Sequence, residues 1–181
     1  MKSQTILSTL FTLLFLLLTA GLLTAQTTWL DWDTAQLRNK KEQRQVLVYV
    51  YGSNCSFCPR MDSVYADTAV GNYLDKTFYP VRLKLDEQSS MSLAGREYNY
   101  VRSKSVGGYH ELAAQLLEGQ LSLPALVILG QDGRILQSIT GYKNVDEVRH
   151  ISRYFGEGYF RKMPWSSYAK KVKIEEERRE Q

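Results

Sequence analysis

Cys55 and Cys58 are the only two cysteines in the 181-residue chain, and two residues separate them. Thiols at that spacing can exchange with disulfides. The thiolate is the attacking species, and a second thiol one helical turn away resolves the mixed disulfide that forms. An isolated pair excludes a disulfide-stapled scaffold, which needs four or more cysteines. It also excludes a self-sufficient four-cysteine zinc or iron–sulfur site. Three uses remain open: a reactive dithiol, a structural bridge and part of a metal site. A bridge this short closes too small a loop to stabilise much. A metal would have to recruit His110 and His150, which form no local ligand motif and read as surface or helix-face residues. No metal site is expected.

The elements around the pair favour the dithiol. Val46-Leu47-Val48-Tyr49-Val50-Tyr51 is an unbroken run of β-formers that predicts a buried central strand. Gly52-Ser53-Asn54 ends it, and Pro59 suits the first turn of a helix but not its interior. Apolar positions 61, 64, 65 and 69 then recur at helical spacing, so one amphipathic helix is expected to begin at or near the cysteines. A cysteine at a helix N-terminus lies near unpaired N–H groups and the positive end of the dipole, which stabilises its anion.

Upstream, Asp33 or Thr34 is expected to cap a polar helix to about Gln43, anchored by Trp32, Ala35 and Leu37. Downstream, 78–86 reads as a second strand parallel to the first. Residues 87–120 are less legible: Glu97 to Arg102 suggests a short strand, and His110 to Leu117 a helix ended by Gly119. A strand entered through Pro124 runs over 121–129, and after the turn Gly130-Gln131-Asp132-Gly133 the segment 134–139 pairs back antiparallel. Val145, Val148, Ile151, Tyr154 and Phe155 mark one face of a further helix. The last 26 residues read as an extension in which Tyr159, Phe160, Trp165 and Tyr168 pack on the domain. Pro164 starts a short helix there, and Lys170 to Gln181 reads as a solvated helix or frayed tail with i,i+4 pairs such as Lys171–Glu175.

The N-terminus speaks to compartment. Lys2 precedes 20 uncharged residues, Ile6 to Ala25, with the apolar centre of a secretory signal and a cleavage point after Ala25. Left uncleaved, the run is long enough for a membrane anchor. Either way the expected location is exported, where disulfide chemistry is permitted. Without residues 1–25 the chain carries 22 basic and 19 acidic side chains. That mixed balance has no basic block with interleaved aromatics, so nucleic acid is a poor partner. The expected organisation is therefore a signal or anchor over 1–25, a domain over 26–155 with an insertion at about 87–120, and an extension over 156–181.

In this order the residues resemble the thioredoxin superfamily, in particular exported thioredoxin-like proteins. The resemblance rests on Trp32, the strand 46–51, Cys55-Ser56-Phe57-Cys58, Leu83-Lys84-Leu85-Asp86, Leu123-Pro124, the hairpin through Gly133, and Gly141-Tyr142, over about 110 residues. It implies an α/β fold with a central mixed sheet flanked by helices. It implies Cys55 as the attacking and Cys58 as the resolving cysteine, and Pro124 as a cis-proline shaping the substrate groove. Leu123 would pair with a bound peptide, and Ser56 and Phe57 would contact it. No cofactor is implied beyond a redox-active Cys55–Cys58 disulfide. The implied partners are protein thiols and disulfides, with a membrane electron donor.

Several positions depart from the family pattern. Tyr49 stands where a buried carboxylate is usual, Arg82 where its lysine partner usually lies, and Asn54 where a tryptophan commonly precedes the first cysteine. These are candidate tuning positions. The 37 residues between Asp86 and Pro124 exceed what a minimal member needs by about 20. A non-catalytic binding or redox-sensing module is the alternative reading.

Overall fold

Pairing of β-formers sets the frame. In a computed structural model, which describes residues 26–103 and 107–179, four strands form one sheet. They are β1 (Gln45–Tyr51), β2 (Phe78–Lys84), β7 (Ala125–Leu129) and β8 (Ile135–Thr140), in the order β2-β1-β7-β8. β1 runs parallel to β2 and antiparallel to β7, and β7 antiparallel to β8. Alternation along β1 feeds two cores. Val46, Val48 and Val50 face one side with Val81, Leu83, Val127 and Leu129, whereas Leu47 and Tyr49 face the other with Leu126 and Ile128. This is the expected mixed sheet, covered on both faces.

On the first face lies α1 (Trp32–Lys41), anchored by Trp32 and Ala35. Asp31, two residues before the expected Asp33, is its cap, because its carboxylate accepts from the Thr34 amide at 2.7 Å. Leu37 does not anchor the helix: it is 59% exposed, since Trp32 and Ala35 already define the buried stripe.

The second face carries α2 (Cys58–Tyr65), α3 (Thr68–Thr77) and α5 (Val145–Gly156). Here the expectation of a single helix through position 69 fails. Asp67 adopts an extended conformation and caps α3 by accepting from the Ala69 and Val70 amides, so the chain turns between two helices. The α5 terminus is a capping box between Asn144 and Glu147. A single 15-residue helix, α6 (Trp165–Arg179), follows Pro164 and joins the expected short helix to the solvated one without a break. Tyr154, Trp165, Tyr168 and Tyr159 pack as rings about 5 Å apart and seat it on α5. Lys171 and Glu175 pair at 3.8 Å.

Between β2 and β7 are two small hairpins and a short helix. They are β3 (Met91–Leu93) with β4 (Arg96–Tyr98), β5 (Tyr100–Ser103) with β6 (Gly107–His110), and α4 (Glu111–Leu116). The single strand expected over 97–102 is split at Asn99 into strands of separate hairpins. The Trp32 indole N–H donates to the Ser92 carbonyl at 2.7 Å and ties the first hairpin to α1. His110 is not a surface residue. It is fully buried, its Nδ1 accepting from the Leu112 amide and its Nε2–H donating to the Ser89 carbonyl. A buried imidazole satisfied at both nitrogens is a structural cap. His150 is half-buried beside Glu176, 3.0 Å away. No described helix is long and apolar enough to cross a membrane. The expected signal or anchor, residues 1–25, lies outside the described residues.

Candidate active site

The cysteine turn hangs from the end of a central strand with a buried interior. β1 finishes at Tyr51, and 52–57 form consecutive turns before α2 begins at Cys58. Cys58, not Cys55, is therefore the first helical residue, with Pro59 directly after it. The Cys58 amide donates back to the Cys55 carbonyl at 3.2 Å, closing the turn. The two sulfurs are joined in a disulfide, with Cα atoms 5.4 Å apart. Their environments differ sharply. Cys55 is partly exposed, whereas Cys58 is 4% exposed under the core of α2. Only the first can meet a macromolecule without rearrangement.

Cys55 opens onto a groove of about 430 Å³ whose other walls come from distant segments. Leu85 and Asp86 continue from β2, Gly107 and Gly108 come from β6, and Leu121 and Leu123 precede β7. The Leu123–Pro124 peptide is cis, and Pro124 is buried. Packing here is close: a Cβ on Gly52 would come within 2.8 Å of Leu123 Cδ1. Ser56 and the exposed Asn54 line the same groove. Phe57 is not among its walls. Its ring is 48% exposed and lies 6.4 Å from that of Tyr142. The expected substrate-contacting residues are thus divided, with Ser56 and Leu123 in the groove and Phe57 beside it.

Beneath the turn, Tyr49 and Arg82 are register neighbours on β1 and β2. Tyr49 is fully buried among Trp29, Tyr51 and Tyr65, with ring centroids 4.9–5.8 Å away. Its hydroxyl donates to the Cys58 carbonyl at 3.2 Å, so it meets the backbone of the second cysteine. Burial, and then the nearby Asp62 carboxylate, hold its phenol well above the usual tyrosine range. Arg82 stacks 4.2 Å from the Tyr51 ring centroid and donates to both Asp62 oxygens at 2.8 and 2.9 Å. A carboxylate partner for the strand-borne cation therefore exists, but α2 supplies it. Sequence reading passed over Asp62, although its i+4 spacing from Cys58 places both on one helical face. It also passed over Arg60, whose guanidinium lies 4.6 Å from the Tyr142 ring centroid and 5.7 Å from that of Phe57.

Among the described residues no group of three or more His, Cys, Asp or Glu side chains is arranged to hold a metal ion. What the arrangement offers is one reachable sulfur, one sheltered sulfur and a peptide-wide groove beside the first.

The same architecture recurs in solved structures. A thioredoxin-fold protein from Helicobacter pylori superposes with a TM-score of 0.54 at 17% identity, over 73% of this chain and 81% of that one. The DsbH oxidoreductase superposes with a TM-score of 0.50 at 16% identity, over 73% and 86%. At such identities the likeness is one of fold. No curated protein sequence matches the chain at a significant level. The family model described as thioredoxin-like domain matches residues 31–156, the span that holds the whole sheet and both cysteines, and the chain belongs to that family.

Proposed function

We propose that the protein is an exported thiol–disulfide oxidoreductase acting on protein substrates through Cys55 and Cys58. The observation that carries this reading is the asymmetry of the pair: Cys55 opens onto the groove beside Leu123, and Cys58 is sheltered one turn away. In the reducing direction the Cys55 thiolate attacks one sulfur of a substrate disulfide. That bond breaks, a mixed disulfide forms, and the departing substrate thiolate takes a proton. Cys58 then loses its proton and attacks the Cys55 sulfur, expelling the second substrate thiol and leaving the Cys55–Cys58 disulfide. Two electrons have passed from the protein dithiol to the substrate. The reverse sequence passes them from a substrate dithiol to the protein.

Direction follows from the reduction potential of the pair relative to its compartment. Working as a reductant outside the cytoplasm, the protein requires a dithiol donor at the membrane. Leu123 and Ser56 flank the sulfur under attack and bind substrate backbone, and Tyr49 holds the Cys58 end of the turn.

The test is reduction of a model protein disulfide by the pre-reduced protein, beside Cys55→Ser and Cys58→Ser. Wild type is expected to turn over, Cys55→Ser to be inactive, and Cys58→Ser to accumulate mixed disulfides. If wild type exchanges with no protein disulfide or dithiol, the enzymatic reading fails and a binding module replaces it.

A further inference from the structure

Arg60 is an exposed cation without a carboxylate of its own among the described residues, one turn from a redox-active disulfide. The nearest acidic residue along α2, Asp62, is committed to Arg82. Two aromatic rings flank the Arg60 guanidinium, Tyr142 at 4.6 Å and the exposed Phe57 at 5.7 Å. Stacking orients a planar guanidinium while leaving its N–H edge free to meet an oxyanion. Tyr142 is itself fixed next to the site, because the Gly141 amide donates to the Pro124 carbonyl at 2.8 Å. Asp86, which lines the groove beside this face, is by contrast offset by Lys84 at 3.3 Å.

From this imbalance we propose that Phe57, Arg60 and Tyr142 form a specificity surface for acidic protein segments, selecting substrates that carry Asp or Glu close to the reacting cysteine. The inference rests on the redox reading above and names its substrate class. A carboxylate on the free edge of Arg60 gains a charge-assisted hydrogen bond, and apolar parts of the segment cover the two rings. Complementary charge of this kind sets encounter and register more than raw affinity. Arg60 touches neither sulfur, so it is a specificity residue.

The test uses three synthetic peptides with one disulfide each, flanked by Glu, by Gln or by Lys. Single-turnover reduction by the pre-reduced full chain is followed by mass spectrometry. Wild type is expected to reduce the Glu peptide about three- to tenfold faster than the Lys peptide at low salt, the scale of one or two exposed ion pairs. That ratio shrinks toward unity as salt screens the surface. Arg60→Gln lowers the ratio at least twofold, and Arg60→Glu lowers it further. Equal rates for all three peptides overturn the specificity surface and leave the redox reading standing. A preference that survives Arg60→Glu unchanged, or that ignores salt, overturns it as well. If no peptide of any charge is reduced, the redox reading falls and this inference with it.

Discussion

The Tyr49 hydroxyl, in the middle of the central strand, donates a hydrogen bond to the carbonyl of Cys58, the first residue of α2. One contact thus joins the buried interior of β1 to the backbone of the sheltered cysteine. A phenol there brings a neutral donor, because burial keeps its proton in place.

Two neighbouring tyrosines should respond oppositely to loss of the hydroxyl. Tyr49→Phe removes a made hydrogen bond and is expected to cost about 1 kcal/mol. The Tyr65 hydroxyl is buried with no hydrogen-bond partner among the described residues. Tyr65→Phe is therefore expected to be neutral or stabilising by up to about 1 kcal/mol. Urea unfolding midpoints of the two variants decide this, and equal destabilisation would contradict the assignment.

Alkali should unfold the protein through the same cluster. Burial holds the phenols of Tyr49 and Tyr65 well above their ordinary range and pushes Tyr73 up to about 12. The folded state therefore keeps these protons after the unfolded chain has begun to lose them, near pH 10. Their contribution is complete below that point, and stability falls as pH rises from there toward the folded values. Unfolding midpoints against pH should be flat across about pH 8–9 as far as tyrosines are concerned, then decline. Tyrosinate absorbance should show a late group of phenols appearing together with unfolding.

Alkylation of the reduced protein should discriminate between the two thiols. Cys55 is partly exposed and Cys58 is 4% exposed, so iodoacetamide is expected to label Cys55 at least tenfold faster. Peptide mass spectrometry after brief exposure reads the ratio directly. Comparable labelling of both would mean that the shelter over Cys58 is lost on reduction.

Asp62→Asn separates surface charge from core packing. Asp62 and Arg82 pair with side chains 43% and 35% exposed, so the loss should be less than about 1 kcal/mol and should shrink in high salt. Removing the carboxylate also takes away one of the influences that raise the Tyr49 phenol, whose titration should move downward. A large, salt-independent loss would mean that the pair behaves as a buried one.

Legibility in the sequence followed signal length. β1 could be read because five consecutive buried positions leave no polar alternation to confuse with a helix. The segment from 87 to 120 resisted because its strands are three or four residues long, shorter than any periodicity can mark. Composition misplaced Leu37 and His110 in opposite directions. The apolar residue lies outside because its helix buries a stripe already filled, and the polar one lies inside because two backbone groups satisfy it.

The amino-acid order alone determined the order of the main strands and the place of the cysteine pair after a buried strand, because these depend on local pattern, and the family resemblance they carry implied the fold class. Tertiary structure decided which sulfur can be reached, that Asp62 on α2 supplies the partner of Arg82, and that Arg60 stands stacked and uncompensated beside the site. Each of these is settled by what approaches from elsewhere in the chain: the insertion closes the groove, β2 delivers Arg82, and Gly141, hydrogen-bonded to Pro124, carries Tyr142 to Arg60. Exposure and charge balance are properties of such meetings, and no spacing along the chain encodes them.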